Sequence, residues 1–465
     1  MRTQTKIKKK TWKEKAKDRC AKVRHLEREK KRQHERAEKW RSRYYELKRS
    51  TRPQAVKNHS YPLEFMWLAV WMHISYNVSL RGVSQSLCKI GELYEMAIDY
   101  ISPSSIRNWC LKFGMYCLLQ PIKEGDYALI LDESIEIGKE HLLVLLVVPL
   151  DQSSPINSLC LQDVKVLDLG VQTSWNSKQV AKLIKDKKEL YGINLLYGIS
   201  DKDSMLRKTL TMCNLIWIGD CTHEMANRTK ALFRGDEEFN GFIKQLNALR
   251  AKWILSKHNL YVPPALRSKS RFHQLFIVHK WGQFILDNWG QLPQTAKVEL
   301  GFVKKAHQLI KMMADFHHLI EGFSKIFKSR GIQNKSIAQW KILVKEYKED
   351  RNNQIEEKIE LFISQMNNYL NDQCVKLNTT TQILCCSDII ESTFGKYKNK
   401  GGMKIITDDA LYIAAYPEKK ELADVKKAMQ SIKIVELLKW KKKNTTVSKL
   451  ALIKRRKNKK EKSAA

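Results

Sequence analysis

The segment YALILDESIEIG, residues 127–138, decides the fold class, because it ends a helical stretch of sequence and begins a series of strands. Its first five residues are apolar or aromatic, and the acid Asp132 follows them. A short apolar run bounded by polar residues is typical of a buried strand. Two further runs, at 140–150 and 163–172, have the same character. The sequence therefore predicts three consecutive strands, which can pair as a meander.

A helix and two more strands follow this meander. Residues 174–192 carry apolar side chains at helical spacing, and the runs INLLYGIS at 193–200 and NLIWIG at 214–219 predict strands that each end at an acid. A second helix is predicted after the fifth strand. Three antiparallel strands followed by crossover connections indicate an α/β fold, a ribonuclease H-like mixed sheet with flanking helices.

Helical periodicity replaces the strand pattern from about residue 230 to residue 385. Apolar residues recur in alternating steps of four and three from Phe302 to Phe327, as in a helix that buries one face. We therefore predict a large all-α insertion in the α/β core. The segment SDIIESTFGKYKNKGG, residues 387–402, then supplies the last helix of the core.

A helical region precedes the sheet. Residues 61–117 contain three short helical segments, and the third, SPSSIRNWCLKFG, has Ser104 or Ser105 as a candidate N-cap. Arg107 and Asn108 point away from its apolar positions and are candidate DNA-binding residues. A helix-turn-helix-like DNA-binding region and a plain helical bundle both fit this pattern.

Positive charge is concentrated at the two ends of the chain. The 84 Lys and Arg residues outnumber the 49 Asp and Glu residues, for a net charge of +35. Residues 1–50 carry 21 basic and 7 acidic side chains, and residues 437–465 carry 12 and 1. Such arms usually contact nucleic acid or an anionic membrane. Residues 12–47 also show a heptad-like seam, so this arm either forms a coiled coil or orders on DNA.

The sequence argues against a membrane or secreted protein. Its longest apolar run, 142–150, is far shorter than the roughly 20 residues of a membrane span, and MRTQTKIKKK leads into no apolar segment. The ten cysteines include no CxxC pair, which favours reduced thiols. We expect a cytoplasmic protein.

These patterns divide the chain into six regions. They are a basic helical or coiled-coil arm (1–52), a helix-turn-helix-like region (53–125), the first part of the ribonuclease H-like core (126–229), the all-α insertion (230–385), the final core helix (386–415) and a basic C-terminal tail (416–465).

Three acids are candidate catalytic residues. Asp132 and Asp201 each follow an apolar run, and parallel strands would bring them to one edge of the sheet. Glu391 lies on a helix that can pack across that sheet. Each acid also has a structural interpretation: Asp132 as a polar strand end, Asp201 as a helix cap in competition with Asp203, and Glu391 in a capping box with Asp388. The convergence of the three favours a shared site.

Converging carboxylates bind Mg²⁺ or Mn²⁺. Two such ions can activate an attacking oxygen and stabilise the leaving oxygen of a phosphodiester. Water as the nucleophile gives a nick, and a DNA 3′-hydroxyl gives strand transfer. Lys396, Lys398 and Lys400 follow Glu391 and suit DNA phosphates. Asp168 in the third strand is a weaker candidate acid.

Four segments in this order, ILDES, GISDKD, IGDCTHEMANRTK and IIESTFGKYK, resemble the DDE transposases of bacterial insertion sequences. The resemblance covers roughly residues 60–410. It is strongest to the group with a helical insertion before the glutamate, as in Mutator-like enzymes. That group carries a Cys/Asp-x-x-His motif after the fifth strand, which the segment DCTH matches. Each motif is short, so the order and spacing carry the comparison.

The resemblance implies a ribonuclease H-like core, Mg²⁺, binding of transposon ends and target DNA, and assembly as a homodimer or higher homo-oligomer. Asp132 and Asp201 then correspond to the two catalytic aspartates and Glu391 to the glutamate, with Asp220 and His223 as an auxiliary pair. Asp220 also ends a strand, so the second aspartate stays open between positions 201 and 220.

The DCTH segment has two other interpretations. Asp220 can cap the helix that follows, with His223 in its first turn. A zinc site that includes Cys221 is disfavoured, because these adjacent side chains cannot easily face one ion and the sequence has no second ligand cluster.

The sequence thus predicts a transposase that cuts element ends and joins them to target DNA. Two alternatives stay open: a catalytically inactive, DNA-binding transposase relic, and a ribonuclease H-like nuclease that only hydrolyses. The intact acids favour an enzyme, and the long basic arms favour a multi-part DNA complex.

Overall fold

The computed structural model describes residues 11–49, 56–93, 100–135, 140–150, 158–266, 271–352, 354–377, 382–399 and 406–445. They form two compact units. The first unit comprises the described residues up to Leu119, Asn399 and Leu411–Lys443. The second comprises the described residues of Gln120–Lys398, Met403–Ala410 and Asn444–Ala465. None of the helices described is long and apolar enough to cross a membrane.

The first unit is helical. Its helices are α1 (Trp12–Arg49), α2 (Leu63–Val70, continued by a π-helical turn at Trp71–Ser75), α3 (Leu80–Leu93), α4 (Pro103–Leu119), α16 (Leu422–Ser431) and most of α17 (Ile434–Asn444). Helices α2, α3 and α4 pack on one another, and α16 packs on α2 and α4.

Two details of this unit differ from the sequence analysis. The N-cap of α4 is Ser102, whose hydroxyl accepts from the Ser105 amide at 3.0 Å, and not Ser104 or Ser105. Pro103 fixes the backbone at the first helical position, so the helix begins there. The predicted basic tail also contains two helices, because apolar side chains of α16, among them Val425 and Met429, are buried.

The second unit contains one mixed five-stranded sheet. Its strands are β1 (Asp126–Ile135), β2 (His141–Pro149), β3 (Lys165–Gln172), β4 (Asn194–Ser200) and β5 (Ile216–Gly219), in the spatial order β3-β2-β1-β4-β5. Strands β1, β2 and β3 are antiparallel neighbours, and β4 and β5 run parallel to β1. The α/β class, the meander and the crossover to further strands are therefore as predicted.

The central strands form because both of their faces are buried. One face packs on α5 (Ser177–Tyr191) and α6 (Ser204–Met212). Gly198 allows α6 to approach β4, since a Cβ there would lie 2.3 Å from Cδ2 of Leu210. This close packing holds the segment between β4 and α6, which contains Asp201, against the edge of the sheet.

Helices follow the sheet. They are α7 (Cys221–Phe233), α8 (Glu237–Trp253), α9 (Arg271–Asp287), α10 (Gln294–Glu299), α11 (Gly301–Lys305), α12 (His307–Arg330), α13 (Asn334–Asp350), α14 (Glu357–Lys376) and α15 (Asp388–Lys398). The periodic side chains from Phe302 to Phe327 pack as a helical core, and Phe316, Phe323 and Phe327 are almost fully buried.

Helix α14 covers the outer edge of β5. Tyr369 donates to the carbonyl of Gly219 at 2.7 Å, and Gln373 accepts from the Gly219 amide at 3.2 Å. Lys376 donates to the carbonyl of Trp217 at 3.2 Å. These side chains satisfy backbone groups that an edge strand would otherwise leave unpaired. The all-α segment thus completes the sheet at the edge next to the predicted acids.

A buried histidine pair between α9 and α12 should make this unit sensitive to acid. Nε2 of His279 lies 2.8 Å from Nδ1 of His317, and burial together with the charges of His317 and Lys280 lowers the pKa of His279 to about 4. The unfolded chain takes up this proton near pH 6.5, whereas the folded chain resists it. The free energy of unfolding therefore keeps its full value above pH 6.5. It falls by about 1 kcal/mol, after allowance for solvent screening, between pH 6.5 and pH 4.

The measurement is the urea midpoint at pH 7 and pH 5. His279→Gln should reduce the difference between the two midpoints, whereas His307→Gln, at an exposed position of α12, should not. Equal differences in both variants would contradict the assignment.

Candidate active site

Strand register brings Asp132 and Asp201 together. Ile130 of β1 pairs with Ile199 of β4, and each acid lies two residues further along its strand. Side chains two residues apart share a face, so both acids project from one face at neighbouring positions.

Asp132 lies within β1 and not at its end as predicted, because the hairpin with β2 continues to the pair Ile135 and His141. On its other side β4 has already ended, which opens that flank.

The helix-cap role near Asp201 belongs to Asp203. Its Oδ1 accepts from the amides of Met205 at 2.7 Å and Leu206 at 3.1 Å, at the start of α6. Asp201 itself accepts from the Asp203 amide at 2.9 Å and is half-buried. The remaining oxygen capacity of Asp201 is therefore available at the edge of the sheet.

Glu391 reaches the same region from α15, which packs on β1. Its Oε1 lies 3.3 Å from Nε2 of His223, and 47% of its side chain is exposed. Asp388, the partner in the predicted capping box, instead accepts from Lys328 of α12. Glu391 thus faces the α7 side of the site.

Asp220 connects the starts of two helices. Its Oδ1 accepts from the amides of Thr222 at 2.5 Å and His223 at 3.0 Å, and so caps α7. Its Oδ2 accepts from the amide of Ser387 at 2.8 Å and from the Ser387 hydroxyl, just before α15. The side chain is fully buried. Asp220 is therefore a positioning residue that fixes the helix carrying Glu391.

His223 lies between two acids. Its Nδ1 is 3.5 Å from Oδ2 of Asp220, an ion-pair distance, while its Nε2 contacts Glu391. The contact with Asp220, together with the charges of Glu391 and Asp201, raises the pKa of His223 to about 9 against the opposing effect of burial. Contacts with His223 and Ser387 hold the pKa of Asp220 below its ordinary value despite burial. The imidazolium therefore offsets part of the negative charge of the site.

The carboxylates influence one another. Burial, together with the negative charges of Asp201 and Glu391, raises the pKa of Asp132 to about 7. The Glu133 amide, which donates to Asp132 at 2.7 Å, and the charge of His223 act in the opposite direction. Burial likewise raises the pKa of Glu391. Such coupling shows that the three acids share one electrostatic environment. A cation placed among them would stabilise their ionised forms.

The chemistry of the donors fits a hard divalent cation, because Asp132, Asp201 and Glu391 all offer carboxylate oxygen. In the described ranges, no three His, Cys, Asp or Glu side chains are grouped closely enough to hold an ion as they stand. Glu391 contacts His223 in this arrangement.

Asp168 lies apart from this cluster. Strand β2 separates β3 from β1, and the carboxylate of Asp168 lies 3.8 Å from Nζ of Lys187 on α5.

The predicted DNA-binding residues fall in different places. Lys396 and Lys398 both lie on α15 and are half-buried, and burial lowers the pKa of Lys396. Lys400 lies outside the described residues. Arg107 and Asn108 lie on α4 of the first unit, where Arg107 is half-buried and Asn108 is exposed.

An ion-pair network around the buried Glu224, beside the acids, was not predicted from the sequence. Glu224 of α7, with only 3% of its side chain exposed, lies 2.6 Å from Lys202 and 2.6 Å from Arg228. Lys202 directly follows Asp201, so this network ties the Asp201 segment to α7. The spacing of Glu224 and Arg228, four residues apart on a helix, is the one sequence signal that could have indicated part of it.

Comparison with protein-family models and with curated proteins gives no match for this chain.

Proposed function

We propose that this protein is a metal-dependent enzyme that cuts and joins DNA, a DDE-type transposase with a ribonuclease H-like core. The observation that carries the proposal is that Asp132 and Asp201 lie at neighbouring positions of two parallel strands, while the helix that carries Glu391 packs on the first of these strands. The strand order β3-β2-β1-β4-β5, with one antiparallel meander and two parallel additions, supports the ribonuclease H-like assignment. The all-α segment before α15 supports the group with a helical insertion.

Asp132, Asp201 and Glu391 would hold Mg²⁺ or Mn²⁺, which would supply Lewis-acid activation of the nucleophile and stabilisation of the leaving oxygen. Asp132 and Asp201 provide donors that the sheet fixes in place. Glu391 would complete the set in place of its contact with His223. Asp220 fixes the start of α15, the helix that carries Glu391, through its contacts with Ser387.

His223 contributes charge. With its pKa raised to about 9, it is a cation at neutral pH and stabilises Glu391 close to the two aspartates. Nδ1 of His223 lies at Asp220, so with Glu391 bound to the ion its Nε2 would be available to donate to a phosphate oxygen of the DNA.

The test is a nicking and joining assay. The protein is incubated with supercoiled plasmid and a labelled oligonucleotide that has a free 3′-hydroxyl, with Mg²⁺, Mn²⁺ or EDTA. Metal-dependent nicking together with joining of the label to the plasmid supports a transposase. Nicking without joining would favour a hydrolytic nuclease, and inactivity with retained DNA binding would favour a relic. Terminal inverted repeats and short direct duplications around the gene would separately support the transposase.

Two lysines on α15 give a sharper prediction. At about 100° per residue, Lys398 lies roughly 20° from Glu391 around the helix and Lys396 roughly 140°. Lys396 therefore falls near the buried Ile389 and Thr393, whereas Lys398 shares the face of Glu391. We expect Lys398→Ala to lower the single-turnover cleavage rate about tenfold through loss of a phosphate contact, and Lys396→Ala to lower it less.

Both variants should be compared at one Mg²⁺ concentration, with the thermal midpoint as a control for folding. A larger loss of rate in Lys396→Ala at an unchanged midpoint would show that the face assignment is wrong.

A further inference from the structure

A group of cations surrounds Trp217 next to the candidate active site. The indole Nε1 donates to Oγ of Ser200 at 3.2 Å, and Ser200 directly precedes Asp201. The Arg207 guanidinium carbon lies 4.4 Å from the ring centroid, and Lys376 Nζ lies 4.6 Å from it. Arg207 comes from α6 and Lys376 from α14, so elements distant in sequence bring these charges to one place.

Arg207 and Lys376 have no ion-paired carboxylate among the described residues. No hydrogen bond or ion pair engages the Arg207 guanidinium among the described residues, and Arg207 is exposed. Lys376 donates to the carbonyl of Trp217 and to Gln373, both uncharged groups. Nζ of Lys202 lies 2.6 Å from the Glu224 carboxylate, which also pairs with Arg228. The group therefore carries an excess of positive charge.

The cations repel one another. Burial lowers the pKa of Lys376, and the charges of Arg207 and Lys202 lower it further, although Asp372 acts in the opposite direction. Cation–π contact with Trp217 offsets only part of this repulsion. An anion bound between the side chains would relieve it, so the arrangement favours a ligand with closely spaced negative charges.

We propose that Arg207 and Lys376, positioned by Trp217 and flanked by Lys202, bind the phosphate backbone of the substrate DNA where it passes the edge of the sheet next to Asp201. The assignment rests on the proposed function for the identity of the anion. Backbone contact is favoured over base stacking, because cations already cover the Trp217 ring. A planar guanidinium also suits bidentate contact with a phosphate.

The test measures DNA affinity against salt in EDTA, so that cleavage plays no part. Each neutralised phosphate contributes about 0.9 to the slope of log affinity against log salt. The double variant Arg207→Gln, Lys376→Gln should therefore flatten the slope by about 1.8. The matched double variant Lys244→Ala, Lys341→Ala removes two exposed lysines from α8 and α13 and should leave the slope unchanged. Arg207→Lys, which keeps the charge, should retain most of the slope.

An unchanged slope in the Gln double variant, or equal flattening in the matched control, would overturn this proposal. Thermal midpoints near wild type show that the variants fold. The outcome is separable from the proposed function: wild-type cleavage by Asp132→Asn would overturn the catalytic assignment and leave the slope result standing. Conversely, an unchanged slope would rule out this DNA contact and would not affect the assignment of the catalytic acids.

Discussion

Asp132→Asn is expected to abolish DNA cleavage and strand transfer, with a loss of about a thousandfold or more, while DNA binding and folding persist. The reason is the position of Asp132: it lies two residues beyond Ile130, whose β4 partner Ile199 is followed two residues later by Asp201. Burial raises the pKa of Asp132, and the charges of Asp201 and Glu391 act in the same direction. Asparagine keeps the shape of the side chain but cannot supply a full negative charge to a divalent cation.

The same variant should be at least as stable as the wild type when metal is absent. The folded-state pKa of Asp132 is raised to about 7, so its stabilising contribution is present below pH 4 and is lost as the pH rises through 7. A neutral Asn avoids this loss. Added Mg²⁺ should raise the thermal midpoint of the wild type more than that of Asp132→Asn.

Asp168→Asn, which changes an acid of the same sheet beyond β2, is the matched control and should retain activity. Activity near wild type in Asp132→Asn, or a comparable loss in Asp168→Asn, would contradict the assignment.

Asp201→Asn and Asp220→Asn are expected to fail in different ways. Asp201 is half-buried and accepts one backbone hydrogen bond that Asn can also accept. The Asp201→Asn variant should therefore lose cleavage, while its free energy of unfolding changes by no more than about 0.5 kcal/mol. Asp220 is fully buried and joins α7 to Ser387, so Asn there should cost on the order of 2–4 kcal/mol.

Urea midpoints and cleavage rates, measured together, separate the two roles. A rate loss in Asp220→Asn should be partly recovered at low temperature or high Mg²⁺, whereas that in Asp201→Asn should not. If Asp201→Asn is active and Asp220→Asn is stable but inactive, then Asp220 is the second catalytic aspartate.

The sequence predicts the core of this fold well because the sheet is built from continuous apolar runs. Runs such as LLVLLVV allow little besides buried strands, and the helical period from Phe302 to Phe327 is equally clear. The sequence also indicates which acids follow these runs. It therefore anticipates the sheet and the candidate acids, but not their contacts.

The remaining features depend on contacts between distant parts of the chain. Strand β1 continues past Asp132 because β2 extends its pairing, and β1 alone carries no signal for this. Helix α14 packs along β5 through hydrogen bonds that join Gly219 to Tyr369 and Gln373, which lie some 150 residues further along the chain. The charge cluster around Trp217 depends on the same packing of α14. Local pattern can predict an element, but not its tertiary neighbours.

Site-directed cleavage of the protein backbone by bound Fe²⁺ tests the central claim most directly. Fe²⁺ that replaces Mg²⁺ at the site generates hydroxyl radicals in the presence of ascorbate and peroxide, and these cut the nearest peptide segments. We expect cuts near Asp132, Asp201 and Glu391, which excess Mg²⁺ suppresses and which are lost in Asp132→Asn. Cuts confined to other segments, or unchanged by Mg²⁺ and by the substitution, would show that these three acids do not form a metal site.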